Sequence, residues 1–374
     1  MKKLLAVAVA AAGLAAVVAA GAELAVRYSG YSAPFWTRPD AQLGWSLRPG
    51  THGWFTKEGR NFVQVSDTGL RDRDHTLDKP DDVYRIALLG DEHSEAMQVP
   101  LAATWWSLLA VRLEQCGLAP GKRIEVINFG VTGYGTAQEY AMLETRAMRY
   151  RPDLVLLQFS SGNDVQNNSF ALAEDKDRPF WLRDARGELH VDESFATTPR
   201  FVARSSLSHE LARKLGDRSR AFQLASMIPE GALIPRVYTA AHAAPGYQGA
   251  LLTAPRDKLW QEAWDVTEGL LTQALDFSRR NGAKFAVVAV PDPIQVTSDR
   301  MLRESAQAKL GVPDLFYPER RLENWGKTEG APVIILGPAM AAERQPLYYR
   351  HLWNEEGQRV AAGLIARRLC PAGR

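Results

Sequence analysis

Cysteine is nearly absent from this chain of 374 residues, which holds only Cys116 and Cys370. A disulfide framework is therefore excluded. The two thiols could pair in an oxidising compartment, but spacing along the chain says nothing about distance in space. Two separate thiols is the preferred reading. An excess of one charge is also missing: 45 Lys and Arg stand against 43 Asp and Glu, a formal net charge of +2. The charges are scattered and form no basic stripe with interleaved aromatics, so no nucleic-acid partner is expected. Spaced His and Cys sets of the metal-binding kind are lacking. Asp91, Glu92 and His93 are consecutive, and adjacent side chains rarely converge on one ion, so no metal is expected. The glycines of Gly130-Val131-Thr132-Gly133-Tyr134-Gly135 have the wrong spacing for a dinucleotide loop. No acid for a ribose follows the next strand either, so no cofactor is expected. There is no internal repeat, and no low-complexity tract beyond an Ala-rich N-terminus.

A hydrophobic content of 46% and a charged content of 24% are those of a globular protein. The length suits one large domain or two smaller ones. One long apolar run is present, at 4–22, behind Lys2 and Lys3 and ahead of Glu23. A basic start followed by an apolar segment marks a secretory signal or a membrane anchor. The run exceeds the usual signal core of about 7–15 residues and approaches the roughly 20 needed to span a bilayer. Residues 1–27 are read as an anchor or signal segment. An uncleaved anchor is preferred, with the rest of the chain translocated. Ala20-Gly21-Ala22 leaves open a secreted form after cleavage.

Residues 28–82 read as an irregular leader packed on the main domain. They are rich in Gly, Pro, Arg, Asp and aromatics, with short strand-like pieces between turn signals. From residue 83 strands and helices alternate. Strands are expected at 83–89, 124–129, 154–159, 285–290 and 333–336, and helices at 104–116, 137–150, 260–281 and 355–369. This alternation predicts an α/β domain, three-layer α/β/α, with a mostly parallel sheet. Residues from about 165 to 255 break the rhythm and read as an insertion over the carboxyl-end rim, in a domain running from 83 to 374.

Three glycine-bearing turns follow three strands in order: Gly90-Asp91-Glu92, the run from Asn128 to Gly135, and Ser161-Gly162-Asn163-Asp164. His351 stands just ahead of the closing helix. Ligands of such sheets bind beyond the carboxyl ends of the strands. Singly, each residue has an ordinary structural reading, since glycines make tight turns and Asn or Asp bonds its own backbone.

Together and in this order they resemble the four blocks of the SGNH/GDSL hydrolases. More narrowly, they resemble the bacterial members with an N-terminal anchor. Ser66-Asp67-Thr68-Gly69-Leu70-Arg71-Asp72, Glu95-Ala96-Met97-Gln98-Val99 and the Gly-Tyr-Gly-Thr-Ala-Gln run ending at Gln138 add to the likeness. The resemblance implies a flavodoxin-like SGNH fold and ester chemistry, meaning deacylation or acyl transfer on lipids or surface glycans. It implies Gly133 and Asn163 as oxyanion donors and His351 as base. The nucleophile position holds Glu92 where the family has serine. The positions for the acid that orients the histidine hold Tyr348 and Tyr349.

These departures favour a catalytically degenerate protein that keeps an acyl- or ester-binding pocket and serves a binding or scaffolding role in the envelope. The N-terminal anchor would hold it in a bacterial inner membrane, with its main domain on the periplasmic or extracellular side. One alternative is an active hydrolase or acyltransferase with a non-standard nucleophile. Another is a structural anchored domain with a dead pocket. A register shift to Ser94 would need a backbone rearrangement. Glu92 is expected to sit in the oxyanion hole, near the Gly133 amide, the Asn163 side chain and a protonated His351.

Overall fold

The computed structural model describes residues 1–226 and 248–370. The chain opens with α1 (Lys2–Tyr28), a helix long and apolar enough to cross a membrane by length and composition, with none of its apolar span buried against the protein. Two antiparallel hairpins follow: β1 (Thr37–Asp40) with β2 (Gly44–Leu47), and β3 (His52–Phe55) with β4 (Asn61–Gln64). Then comes the alternating domain: β5 (Val83–Leu89), α2 (Glu92–Glu95), α3 (Trp105–Gln115), β6 (Arg123–Asn128), α4 (Thr136–Thr145), β7 (Leu154–Ser160) and α5 (Asp164–Asn168).

The segment read as an insertion carries a hairpin, β8 (Phe180–Arg183) with β9 (Leu189–Asp192). It continues with helices α6 (Pro199–Arg204), α7 (Leu207–Arg218), α8 (Arg220–Ala225) and α9 (Gln248–Leu251). The part of this insertion at 227–247 lies outside the described residues. The chain resumes its alternation with α10 (Lys258–Arg280), β10 (Lys284–Val290), α11 (Pro293–Val296), α12 (Arg300–Leu310), α13 (Tyr317–Glu329), β11 (Val333–Ile335), α14 (Gly337–Met340) and α15 (Glu355–Leu369).

The central sheet has five strands in the order β11-β10-β7-β5-β6, all parallel. Parallel strands need crossover helices, and these cover both faces. Alternate residues of each strand therefore enter two different cores. Ala87, Leu89, Val155, Leu157 and Phe159 pack with Leu143, Trp264 and Leu322 of α4, α10 and α13. Ile86, Leu88, Leu154 and Leu156 pack with Leu109 and Leu113 of α3 and Ile365 of α15. The domain is thus the expected three-layer α/β/α arrangement with a flavodoxin-like strand order. Winding reverses between β5 and β7, and the crevice at that switch point is where such sheets bind ligands.

Two expectations are corrected. The helix expected over 137–150 ends at Thr145, where Arg146 leaves helical geometry and a 3₁₀ turn completes the path to Tyr150. The two cysteines, read as separate thiols, are joined, with 5.9 Å between their Cα atoms. Cys116 caps the C-terminal end of α3 and Cys370 that of α15, and these helices pack side by side in one layer. The pairing is a product of that packing, which sequence spacing does not reveal.

Candidate active site

The Gly90 turn leaves the carboxyl end of β5 and starts α2 at once. Asp91 caps that helix: its Oδ1 accepts from the His93 N–H at 2.9 Å, and its own N–H donates to Gln158 Oε1 at 3.2 Å. This is the backbone-orienting role that Asp commonly takes in such turns. Ser94 is fully buried below the turn. Its hydroxyl donates to Gln158 Oε1 at 2.9 Å, and its carbonyl accepts from Trp106 Nε1 and Asn128 Nδ2. A Cβ at Gly90 would come within 2.4 Å of the Ser94 hydroxyl oxygen. Ser94 is packed from every side, so the register shift that would make it a nucleophile does not occur.

Glu92 is partly exposed, and its carboxylate reaches across the switch point. Oε2 accepts from the Gly133 N–H at 3.0 Å, and Oε1 accepts from Asn163 Nδ2 at 3.4 Å. Gly133 has φ +78°, a left-handed conformation that glycine adopts at little cost. Asn163 heads α5 just beyond β7 and is buried. The two donors that the sequence reading assigned to an oxyanion are therefore both bonded to Glu92. Burial pushes the Glu92 carboxyl up to about 7, the Asp91 carboxylate beside it adds to the rise, and His93 and the Gly133 N–H oppose it.

His351 stands on the loop ahead of α15. It is exposed at the rim, with its N–H donating to Glu58 Oε2 at 2.9 Å. The neighbouring N–H groups of Arg350 and Leu352 donate to the same oxygen at 3.3 and 2.9 Å. Glu58, in the turn between β3 and β4, thus holds the whole His351 loop. The imidazole of His93 acts on Glu92, and it is buried in T-shaped contact with the rings of Tyr348 and Trp353. Burial disfavours the charged form of His93, but Asp91 and Glu92 beside it raise its pKa overall.

Neither tyrosine stands in for the missing acid. The Tyr348 hydroxyl donates to the Pro291 carbonyl at 2.7 Å, and that of Tyr349 donates to Glu355 at 2.7 Å. Asp292, one residue past Pro291 and just beyond β10, is an acid that interacts electrostatically with both His93 and His351. Burial raises its pKa, and the fields of His93 and His351 both oppose that rise. Its Oδ1 caps α11 through the Ile294 N–H at 2.9 Å, and a Cβ at Gly162 would lie 2.9 Å from its Oδ2. Sequence reasoning missed Asp292; its only local signal is an Asp flanked by prolines just after an apolar strand.

The leader builds the floor of the site. Trp45 Nε1 donates to the Thr132 carbonyl at 3.1 Å, Tyr134 donates its hydroxyl to the Trp45 carbonyl at 2.5 Å, and Gln138 Nε2 donates to the Leu43 carbonyl at 2.6 Å. Buried Glu95 accepts a hydrogen bond from the Thr132 hydroxyl. The Gly133 N–H is thus fixed by contacts on both sides of it. The insertion contributes Arg178, buried, with its guanidinium 4.8 Å over the Trp45 ring and its charge acting toward Asp164 and Glu92. Ser161 donates to buried Glu319 at 3.1 Å, and Gln295 donates to both oxygens of Glu319, which steadies the Asn163 turn.

Ligand atoms of Asp91, Glu92 and His93 lie within 4.8 Å of one another, closer than their adjacency in sequence suggested. Both Glu92 oxygens, however, already face N–H donors. That is an environment built for an anion, and it does not suit a cation.

No family model matches this chain, and no curated protein matches it. Its backbone is similar to solved esterase structures. The acetylxylan esterase Axe2 of Geobacillus stearothermophilus shares 12% identity, with 76% of this chain and 94% of that chain covered and a TM-score of 0.40. The acetyl xylan esterase AlAXEase shares 11%, over 76% of this chain and 98% of that chain, with a TM-score of 0.39.

Proposed function

We propose that this is a membrane-anchored, SGNH-like protein of the bacterial envelope whose ester-binding site is filled by its own Glu92, so that it binds and does not hydrolyse. The observation that carries this reading is the pair of hydrogen bonds from Gly133 and Asn163 to the Glu92 carboxylate. In an ester hydrolase, donors so arranged would stabilise the charge that develops on the carbonyl oxygen. Here a side-chain anion already sits on them. Glu92 is also a poor replacement nucleophile, because carboxylate attack on an ester yields an anhydride, a high-energy product. The natural ligand class on this reading is an acyl ester of a lipid or surface glycan. Helix α1 supports anchoring, and a closed Cys116–Cys370 pair suits the oxidising outer side of that membrane.

The test is turnover of p-nitrophenyl acetate and butyrate by the full-length chain in detergent, beside Glu92→Ala and His351→Ala. All three are expected at the buffer background. Turnover by the natural chain that disappears in either variant would sink the reading and make Glu92 a working catalytic group.

A further inference from the structure

The insertion carries an apolar stripe that faces away from the protein. On α7, Leu207, Leu211 and Leu215 are 74%, 57% and 49% exposed. Four-residue spacing puts them in one row along the helix. The opposite side of α7 is the packed side. Arg213 and Gly216 are buried there, and a Cβ at Gly216 would lie 2.4 Å from the Phe35 ring. Lys214 and Arg218 fall on the apolar side, three residues after Leu211 and Leu215, and both are exposed. An exposed leucine row flanked by basic residues is the composition of a helix that lies in a lipid interface.

The position of this helix relative to α1 indicates what covers the row. Glu23 is the first charged residue after the apolar run of α1. Its carboxylate accepts from the Ser219 hydroxyl at 2.8 Å and from the Arg220 and Ala221 N–H groups at 3.0 and 2.9 Å. Arg27, one turn further on, bonds Glu23 at 2.6 Å and donates to the Arg218 carbonyl at 2.9 Å. The α7–α8 junction is therefore clamped to the helix at the point where its apolar span ends. A span of roughly 20 residues fills the hydrocarbon core, which sets that point at the headgroup level.

We propose that α7 lies on the membrane surface, with Leu207, Leu211 and Leu215 in the acyl–headgroup boundary and Lys214 and Arg218 at the lipid phosphates. The insertion thereby fixes the height of the domain above the membrane surface. This inference rests on the anchor reading of α1.

The test uses the full-length Leu211→Cys chain carrying a nitrobenzoxadiazole label, reconstituted in phosphatidylcholine–phosphatidylglycerol vesicles with nitroxide-bearing acyl chains. Met301→Cys, exposed on α12, is labelled as the control. The chain should float with the vesicles. The label at 211 should shift its emission to the blue and be quenched by the nitroxide, while the label at 301 should do neither. Flotation with an unquenched label at 211 overturns the surface and leaves the anchor standing; a shielded but unquenched label means that protein covers the stripe, and overturns it too. A chain that does not float overturns both readings.

Discussion

Replacing Glu92 by serine should raise p-nitrophenyl acetate hydrolysis by on the order of 10²–10³-fold over the natural chain, the range one set of oxyanion donors commands. The substitution does two things. It removes the carboxylate from Gly133 and Asn163 and frees both donors. It also sets a hydroxyl at the turn where α2 begins. The rest of the site is already held: Gly133 by Trp45 and Glu95 through Thr132, Asn163 by the Ser161–Glu319 contact, and the His351 loop by Glu58. Asp292 lies within the electrostatic reach of His351, so the gain is expected without a second substitution at Tyr348. The gain should vanish in Glu92→Ser with His351→Ala, the histidine that the resemblance makes the base for that hydroxyl. A rate that stays at background in Glu92→Ser would mean that the donors are not aimed at a carbonyl oxygen.

Stability should fall as pH rises from about 5 to about 8. Burial pushes Glu92, Glu95 and Glu319 each up to about 7 from an ordinary 4.5. A carboxyl whose pKa is higher in the folded chain holds its proton more tightly there than in the unfolded chain. Folding is then most favoured below 4.5, and the advantage is lost as pH climbs through about 7. His75 acts in the same direction. Burial disfavours its charge, but hydrogen bonds to Asp72 and Glu125 raise its pKa overall, and the stability this adds is lost as pH rises through the raised value. Below 4.5 the trend reverses, because Glu125, held down to about 2 by His75 and Arg85 against its burial, must be protonated.

Glu92→Gln isolates one contribution. Its amide oxygen can still accept from Gly133, while the charge is gone. Thermal unfolding at pH 8 should show the variant more stable by about 1–2 kcal/mol, after discounting for partial solvent access, with little difference at pH 5. A variant that is less stable at both pH values would mean that the carboxylate charge holds the site together.

Much of the fold is legible in local pattern. The strand 83–89 and the closing helix 355–369 are found where the sequence puts them, because a continuous apolar run and a stripe with helical period are properties of the segment itself. The helical pattern at 137–150 outruns the helix itself, since no proline or glycine marks the break after Thr145. The hairpins of β1 with β2 and β8 with β9 leave little trace in the sequence, since four-residue strands barely show a period. At the site, Gly133, Asn163 and Glu92 carry a motif in sequence order, and the structure brings all three within hydrogen-bond reach. Asp292, Glu58 and the pairing of Cys116 with Cys370 were invisible, because each depends on segments that meet only after the layers pack.

The central claim is that an ionisable Glu92 carboxylate occupies the Gly133 donor. Its direct test is a carboxyl-¹³C and amide NMR titration of the full-length chain in micelles, with Glu92→Gln to assign the Glu92 signal. The carboxyl should titrate with a midpoint near the value of about 7 that burial gives it, and the Gly133 amide proton should move with the same midpoint. A Glu92 midpoint near 4.5, or a Gly133 amide that does not follow it, would contradict the account.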